Sequence, residues 1–223
     1  MMYRDSALLV GRAAEQAMIA GLLTRSAHGS ALLIRGAPGI GKSALVDDTV
    51  AWASGSRKVL RAAGTPSETG LELAGLHQLL RPILPWANSI SELRRTALNV
   101  AFSITPGPAP ERYAVAMAAL DLLAEAAADT PLLVVAEDIQ WMDPATIAVL
   151  TFVGRRLESD AIVLIATARD DVPARYRTPR SASWNCCRSR IPIPGSCSPP
   201  SPPSSDQLRS GGSSPSPRET RWP

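Results

Sequence analysis

The sequence predicts an α/β fold: a parallel β-sheet flanked by helices, followed by a disordered C-terminal tail. Three observations carry this reading. Short apolar runs of strand length alternate with segments of helical period up to about Asp171. One such run, 31–34, leads directly into a glycine-rich turn and then a helical segment from Ser43 to Ala53. Two others, 132–136 and 161–167, have no polar interruption, as expected of strands covered on both faces.

The remaining elements fall between these. Residues 58–62 read as a further strand, and 112–128 and 144–157 carry helical periodicity. After Tyr176 the alternation stops. Residues 198–205 and 211–217 are almost wholly Pro, Ser and Gly. Such segments bury too little apolar surface to offset ordering costs of ~1–2 kcal/mol per residue. The expected organisation is therefore a folded domain over 1–176 and a Pro/Ser/Arg-rich disordered tail over 177–223. The body has 14 arginines against two lysines, Lys42 and Lys58, as in a G+C-rich gene. The tail's Arg, Pro, Ser, Gly, Cys and Trp suit an out-of-frame reading of such a gene, so a frameshifted, truncated product is expected.

Charge and cysteine exclude several classes. The 223 residues carry a net charge of +3. Residues 1–176 hold 16 basic and 18 acidic side chains, a net of −2, whereas 177–223 hold 7 and 2, a net of +5. The body thus has no electrostatic case for DNA binding, and the tail can give only salt-sensitive, sequence-independent contact. Cys186, Cys187 and Cys197 all lie in the tail and fit neither a zinc spacing nor a disulfide framework. No apolar run approaches the ~20 residues of a membrane span, and residues 1–5 lack the pattern of a secretory leader. A cytoplasmic location is expected.

The chemistry is concentrated in Gly36-Ala37-Pro38-Gly39-Ile40-Gly41-Lys42-Ser43, which fits G-x-x-x-x-G-K-[ST] without a mismatch. This is the P-loop of nucleoside triphosphatases, in the strand-to-helix context it requires. Its glycines let successive backbone N–H groups turn inward on phosphate oxygens. The following helix adds a positive N-terminal dipole. Lys42 reaches the β- and γ-phosphates, and the Ser43 hydroxyl is suited to Mg2+. The fold expected is that of a P-loop NTPase.

A second, acidic site should stand on a neighbouring strand. The run 132–136 ends in Glu137-Asp138, at the strand end where α/β sheets bind ligands. Neighbouring strand residues point to opposite sides, so one carboxylate is expected to hold Mg2+ and the other to orient attacking water. The usual order, Asp then Glu, is reversed here, and the residues leave open which does which. Lys42, Glu137 and Asp138 are the candidate catalytic groups; Ser43, Glu137 and Asp138 are the candidate metal holders. Asp143-Pro144 suits a helix N-cap with proline at the first helical position. Thr167 and Arg169 put a hydroxyl and a guanidinium on the rim of the next strand, where they can sense a γ-phosphate; a surface arginine without a role is the alternative.

Three segments together carry a family likeness: Leu9-Val10-Gly11-Arg12, Leu71 through Leu80 with its Ala74-Gly75-Leu76-His77-Gln78-Leu79-Leu80 run, and Glu137 through Asp143. Over roughly residues 8–171 the chain resembles the N-terminal ATPase domain of large LuxR-type transcriptional regulators, signal-transduction ATPases with numerous domains within the AAA superfamily. The resemblance implies an ATP-driven switch with slow turnover and nucleotide-dependent self-association. It implies ATP and Mg2+ as ligands, with Val10, Gly11 and Arg12 near the adenine, and Thr167 and Arg169 as a sensor-like strand end. His77 is expected at a helix surface or interface. Nothing after Asp171 resembles the lid, helical repeats or helix-turn-helix of such regulators. Alternatives are a nucleotide-binding fragment that associates with full-length relatives, and a non-functional truncated product.

Overall fold

The computed structural model describes residues 11–24, 29–170 and 182–185. The chain divides into compact units at Met1–Ser189 and Arg190–Pro223, and all described residues belong to the first. Its elements are α1 Ala13–Thr24, β1 Ser30–Arg35, α2 Lys42–Ala53, β2 Lys58–Ala63, α3 Ala74–Leu80, α4 Glu92–Ala101, α5 Arg112–Asp129, β3 Leu132–Glu137, α6 Pro144–Gly154, β4 Ile162–Ala168 and β5 Ala182–Asn185. A 3-10 segment, Arg81–Asn88, joins α3 towards α4.

The sheet is parallel throughout and ordered β2-β3-β4-β1-β5. Strand β1 lies beside β4, whereas the chain leaving β1 through α2 goes to the far edge at β2. The crevice at the C-terminal strand ends is therefore bounded by the turn after β1, the end of β3 and the end of β4, the place where such sheets bind ligands.

Side chains alternate across the sheet into two apolar layers. Leu32, Ile34, Leu133, Val135, Val163 and Ile165 meet Ile19 and Leu23 of α1 and Leu45 and Val46 of α2. On the other face, Leu33, Leu60, Val134 and Leu164 meet α3, α5 and α6 in a larger cluster. Helix α5 buries Val115, Ala118, Ala119, Leu122, Leu123 and Ala126 at helical spacing. Its alanines leave room for the neighbouring helices to approach closely.

At the opposite end of the sheet, Arg57 is buried and donates to the carbonyls of Leu23 (2.7 Å), Leu132 (3.3 Å) and Ala161 (3.4 Å). It ties α1 to the starts of β3 and β4. Burial holds its guanidinium below the usual arginine range.

Strand β5 falls inside the segment expected to be coil. Its four residues contain no proline, and they pair with Leu32–Arg35 of β1 through backbone groups. Edge pairing of this kind needs neither apolar alternation nor a packed side-chain face. The rest of the expected tail lies outside the described residues. Among the described residues no helix is long and apolar enough to cross a membrane.

Candidate functional site

Glycine geometry shapes the turn after β1. Gly39 (φ 73°) and Gly41 (φ 97°) both occupy the left-handed region, where a Cβ would be strained. The turn is closed by Ile40 N–H donating to Ala37 O at 3.3 Å, and anchored by Gly36 N–H donating to Ala168 O of β4 at 3.3 Å. Lys42 begins α2, directly after the second of these glycines.

The Lys42 ammonium is buried and donates to the carbonyls of Gly36 (2.8 Å) and Ala37 (3.1 Å). Two of its three N–H groups are thus directed by neutral acceptors, and among the described residues no carboxylate pairs with it. A cavity of about 400 Å3 opens beside it, lined by Gly39, Gly41, Lys42, Ser43, Asp138 and Arg169, with Gln140 and Trp141 at its wall. A buried cation compensated only by dipoles, next to a helix N-terminus, suits an anionic ligand.

Glu137 and Asp138 have separate surroundings. Glu137 ends β3 on the face of Leu133 and Val135, the face covered by α2. It is 6% exposed and accepts from Arg61 Nε at 2.6 Å; Arg61 Nη2 meets Asp47 of α2 at 2.8 Å. The bond to Glu137 is the main cause that holds Arg61 above the usual arginine range, against the opposing effect of burial and with a contribution from Asp47. Asp138 leaves the strand in a left-handed conformation (φ 47°) and lines the cavity. Its N–H donates to Thr167 Oγ1 at 3.0 Å, and its carboxylate accepts from Gln140 Nε2 at 3.0 Å. Gln140 Oε1 in turn accepts the N–H of Arg169 at 3.3 Å, joining the ends of β3 and β4. Thr167 is buried, and its hydroxyl fixes the turn at Asp138.

Arg12 is also buried, paired with Glu15 at 2.8 Å and donating to the Ile40 carbonyl at 2.5 Å, so it braces the back of the glycine-rich turn. Gly11 (φ 81°) sets the chain's entry to that contact. Val10 lies outside the described residues. Ser43 and Asp138 offer hard oxygen donors to one cavity, the kind of set a magnesium ion shares with phosphate oxygens and water. Among the described residues no group of three or more His, Cys, Asp or Glu side chains forms a cage for a metal.

The profile of the AAA ATPase domain family matches residues 8–165, more than half of the chain, including the glycine-rich turn, Lys42, Ser43, Glu137 and Asp138. The chain belongs to the AAA ATPase domain family. Its sheet, strand order and glycine-rich turn are those of a nucleotide-binding AAA ATPase-like domain. Among solved structures, it is similar to Cdc6p from Pyrobaculum aerophilum, with 14% identity, a TM-score of 0.53, and coverage of 80% of this chain and 45% of that one. This likeness is one of fold. A further similar structure is the Aeropyrum pernix ORC2 protein in ADPNP-ADP complexes, at 20% identity, a TM-score of 0.44, and coverage of 75% and 42%. The chain spans less than half the length of either. A comparison with curated proteins finds no match.

Arg61 and Asp47 were not singled out from sequence. The available signal was period-two alternation: Arg61 stands two residues after Val59 and shares its sheet face, where an arginine needs a carboxylate. Asp143 is the N-cap of α6, accepting the Thr146 N–H at 2.8 Å. His77 is half-buried against Phe102, with ring centroids 4.9 Å apart.

Proposed function

We propose that this AAA ATPase domain is the Mg·ATP-binding, slowly hydrolysing switch of a LuxR-type transcriptional regulator, acting in the cytoplasm and self-associating according to the nucleotide held. The observation that carries the nucleotide reading is the Lys42 ammonium, fixed by two carbonyls in a cavity shared with Ser43 and Asp138. The regulator context rests on the resemblance in Leu71 through Leu80 and Glu137 through Asp143.

In this reading the backbone of Gly36 through Gly41 wraps the phosphates, and Lys42 reaches the β- and γ-phosphates. Mg2+, held by Ser43 with Glu137 or Asp138, supplies neutralisation of developing phosphate charge. Whichever of Asp138, braced by Thr167 and Gln140, and Glu137 does not hold the metal orients the water that attacks the γ-phosphorus as its bond to ADP breaks. Arg169, on the rim of β4, senses the γ-phosphate together with Thr167. By the resemblance, Val10, Gly11 and Arg12 are assigned to the adenine.

The test is thermal unfolding of the full chain with and without Mg·ATP, in wild type and Lys42→Ala. At ligand about 100-fold above its dissociation constant, binding adds ~2.7 kcal/mol. For a chain of this size that raises the midpoint by roughly 5–10 °C. A shift in wild type but not in Lys42→Ala is expected; equal shifts would overturn the assignment of Lys42. Phosphate release by wild type, Glu137→Gln and Asp138→Asn then separates hydrolysis from binding alone. The engagement of Glu137 by Arg61 favours binding alone as the second reading, and release no faster than buffer in all three proteins would establish it.

A further inference from the structure

A second cavity, of about 480 Å3, lies on the α5–α6 side of the domain and shares no lining residue with the one beside Lys42. Five segments wall it: Glu72 and Leu73 just before α3, the end of α4, the loop through Gly107 and Ala109, α5 and α6. Its base is apolar and buried, formed by Val115, Ala116 and Val149. Tyr113 and Phe152 meet edge to face at its side, with centroids 5.8 Å apart. Among the described residues, the charged groups in its lining are Glu72 and Arg112, 3.9 Å apart and 68% and 81% exposed.

We propose that this cavity is a binding site for a small, uncharged, largely apolar organic molecule. The volume falls within the ~300–1,000 Å3 of small-molecule sites, which combine apolar walls with a few polar groups that orient the ligand. Walls from five segments around a mouth open to solvent suit a compact molecule rather than an extended chain. The charge pair, solvent-exposed and mutually compensated, offers an ionic head no uncompensated partner. An anionic head drawn to Arg112 meets the Glu72 carboxylate beside it, and a cationic head meets the converse. A neutral head can accept from Arg112 or donate to Glu72 without that conflict. The room exists because the facing positions carry small residues: Ala109 on the loop, and Ala145 and Ala148 on α6.

The test uses two fluorescent probes with one aromatic skeleton, neutral N-phenyl-1-naphthylamine and its anionic analogue 8-anilinonaphthalene-1-sulfonate, titrated into the full chain. Wild type is expected to bind the neutral probe saturably at one site and to prefer it over the anion. Ala148→Trp and Ala109→Trp introduce bulk from solvent-exposed positions, so the fold should keep its cooperative transition while affinity falls at least tenfold. Leu93→Ser removes the most exposed large apolar side chain, outside the cavity, and should leave binding unchanged. Glu72→Gln should shift preference towards the anion. Absence of saturable binding, or affinity equal to wild type in both tryptophan variants, would overturn the site. An anion bound as tightly by wild type as by Glu72→Gln would overturn the choice of a neutral ligand.

Discussion

The carboxylate of Asp143 accepts the backbone N–H of Leu73 at 2.9 Å, across 70 residues of sequence. The same carboxylate takes the N–H of Thr146 at 2.8 Å and its hydroxyl at 2.6 Å, and Thr146 Oγ1 accepts Leu76 N–H at 2.9 Å. One buried side chain therefore starts α6 and also fixes the left-handed turn (φ 64° at Leu73) that starts α3. Asp143→Ala removes a helix cap and strands a buried N–H, a cost of roughly 2–4 kcal/mol. Urea unfolding should show a lower midpoint at unchanged slope, with Asp143→Asn between the two.

Arg61→Met leaves Glu137 buried without its guanidinium. Arg61 is 41% exposed, so solvent screening keeps the expected loss to roughly 1–2 kcal/mol, below that of a fully buried pair. Adding Glu137→Gln should recover much of it. A double-mutant cycle giving no coupling would show that the pair contributes nothing to stability.

Gly64 packs under the turn that carries Asp138. A Cβ built there would stand 2.6 Å from Asp138 O, 2.7 Å from Met142 N and 2.8 Å from the Trp141 carbonyl carbon. All three are backbone atoms, so the turn must move. Gly64→Ala should cost roughly 1–3 kcal/mol, as overpacking does, and weaken Mg·ATP binding by displacing Asp138. The Mg·ATP-induced shift in melting temperature reads both effects at once.

Burial pushes the Asp160 carboxyl above the ordinary aspartate value of 3.8. The folded chain then binds this proton more tightly than the unfolded chain. Asp160 destabilises the fold at neutral pH, and that contribution fades as pH falls through the raised value. Asp160→Asn should gain stability over wild type near pH ~7, with the gap closing towards pH ~4. Paired urea midpoints across this range provide the check; a gap independent of pH would contradict it.

Strands and phosphate-loop residues were legible because each follows from local pattern. Leu132 through Ala136 is continuously apolar, and the glycine-rich turn has fixed spacing. Helices α1 and α4 are not evident from local pattern, and α3 is anticipated only at His77. Helix α1 is apolar on nearly every side and lacks a clear stripe, whereas α3 has only seven residues. Glu137 and Asp138 could be told apart only once the chain turned at Asp138, because a left-handed aspartate leaves the alternation that strand geometry predicts. The Arg61 pair and the Asp143–Leu73 bond join segments far apart in sequence, and no local pattern encodes such partners. Strand β5 has only four residues, too few for a strand period to stand out in a Pro-, Ser- and Arg-rich stretch.

Among the described residues, the apolar layers on the two faces of the sheet are unequal, and the smaller is expected to open first. Helices α1 and α2 cover their face with the smaller cluster, whereas α3, α5 and α6 cover the other with the larger. Local opening follows the weaker layer, so amide protons of α1 and α2 should exchange before those of β3, β4 and α5. The glycine-rich turn leads directly into α2, which belongs to that smaller layer. A ligand seated on it would slow the exchange of α2 most, making hydrogen exchange a direct reporter of occupancy without any change in average shape.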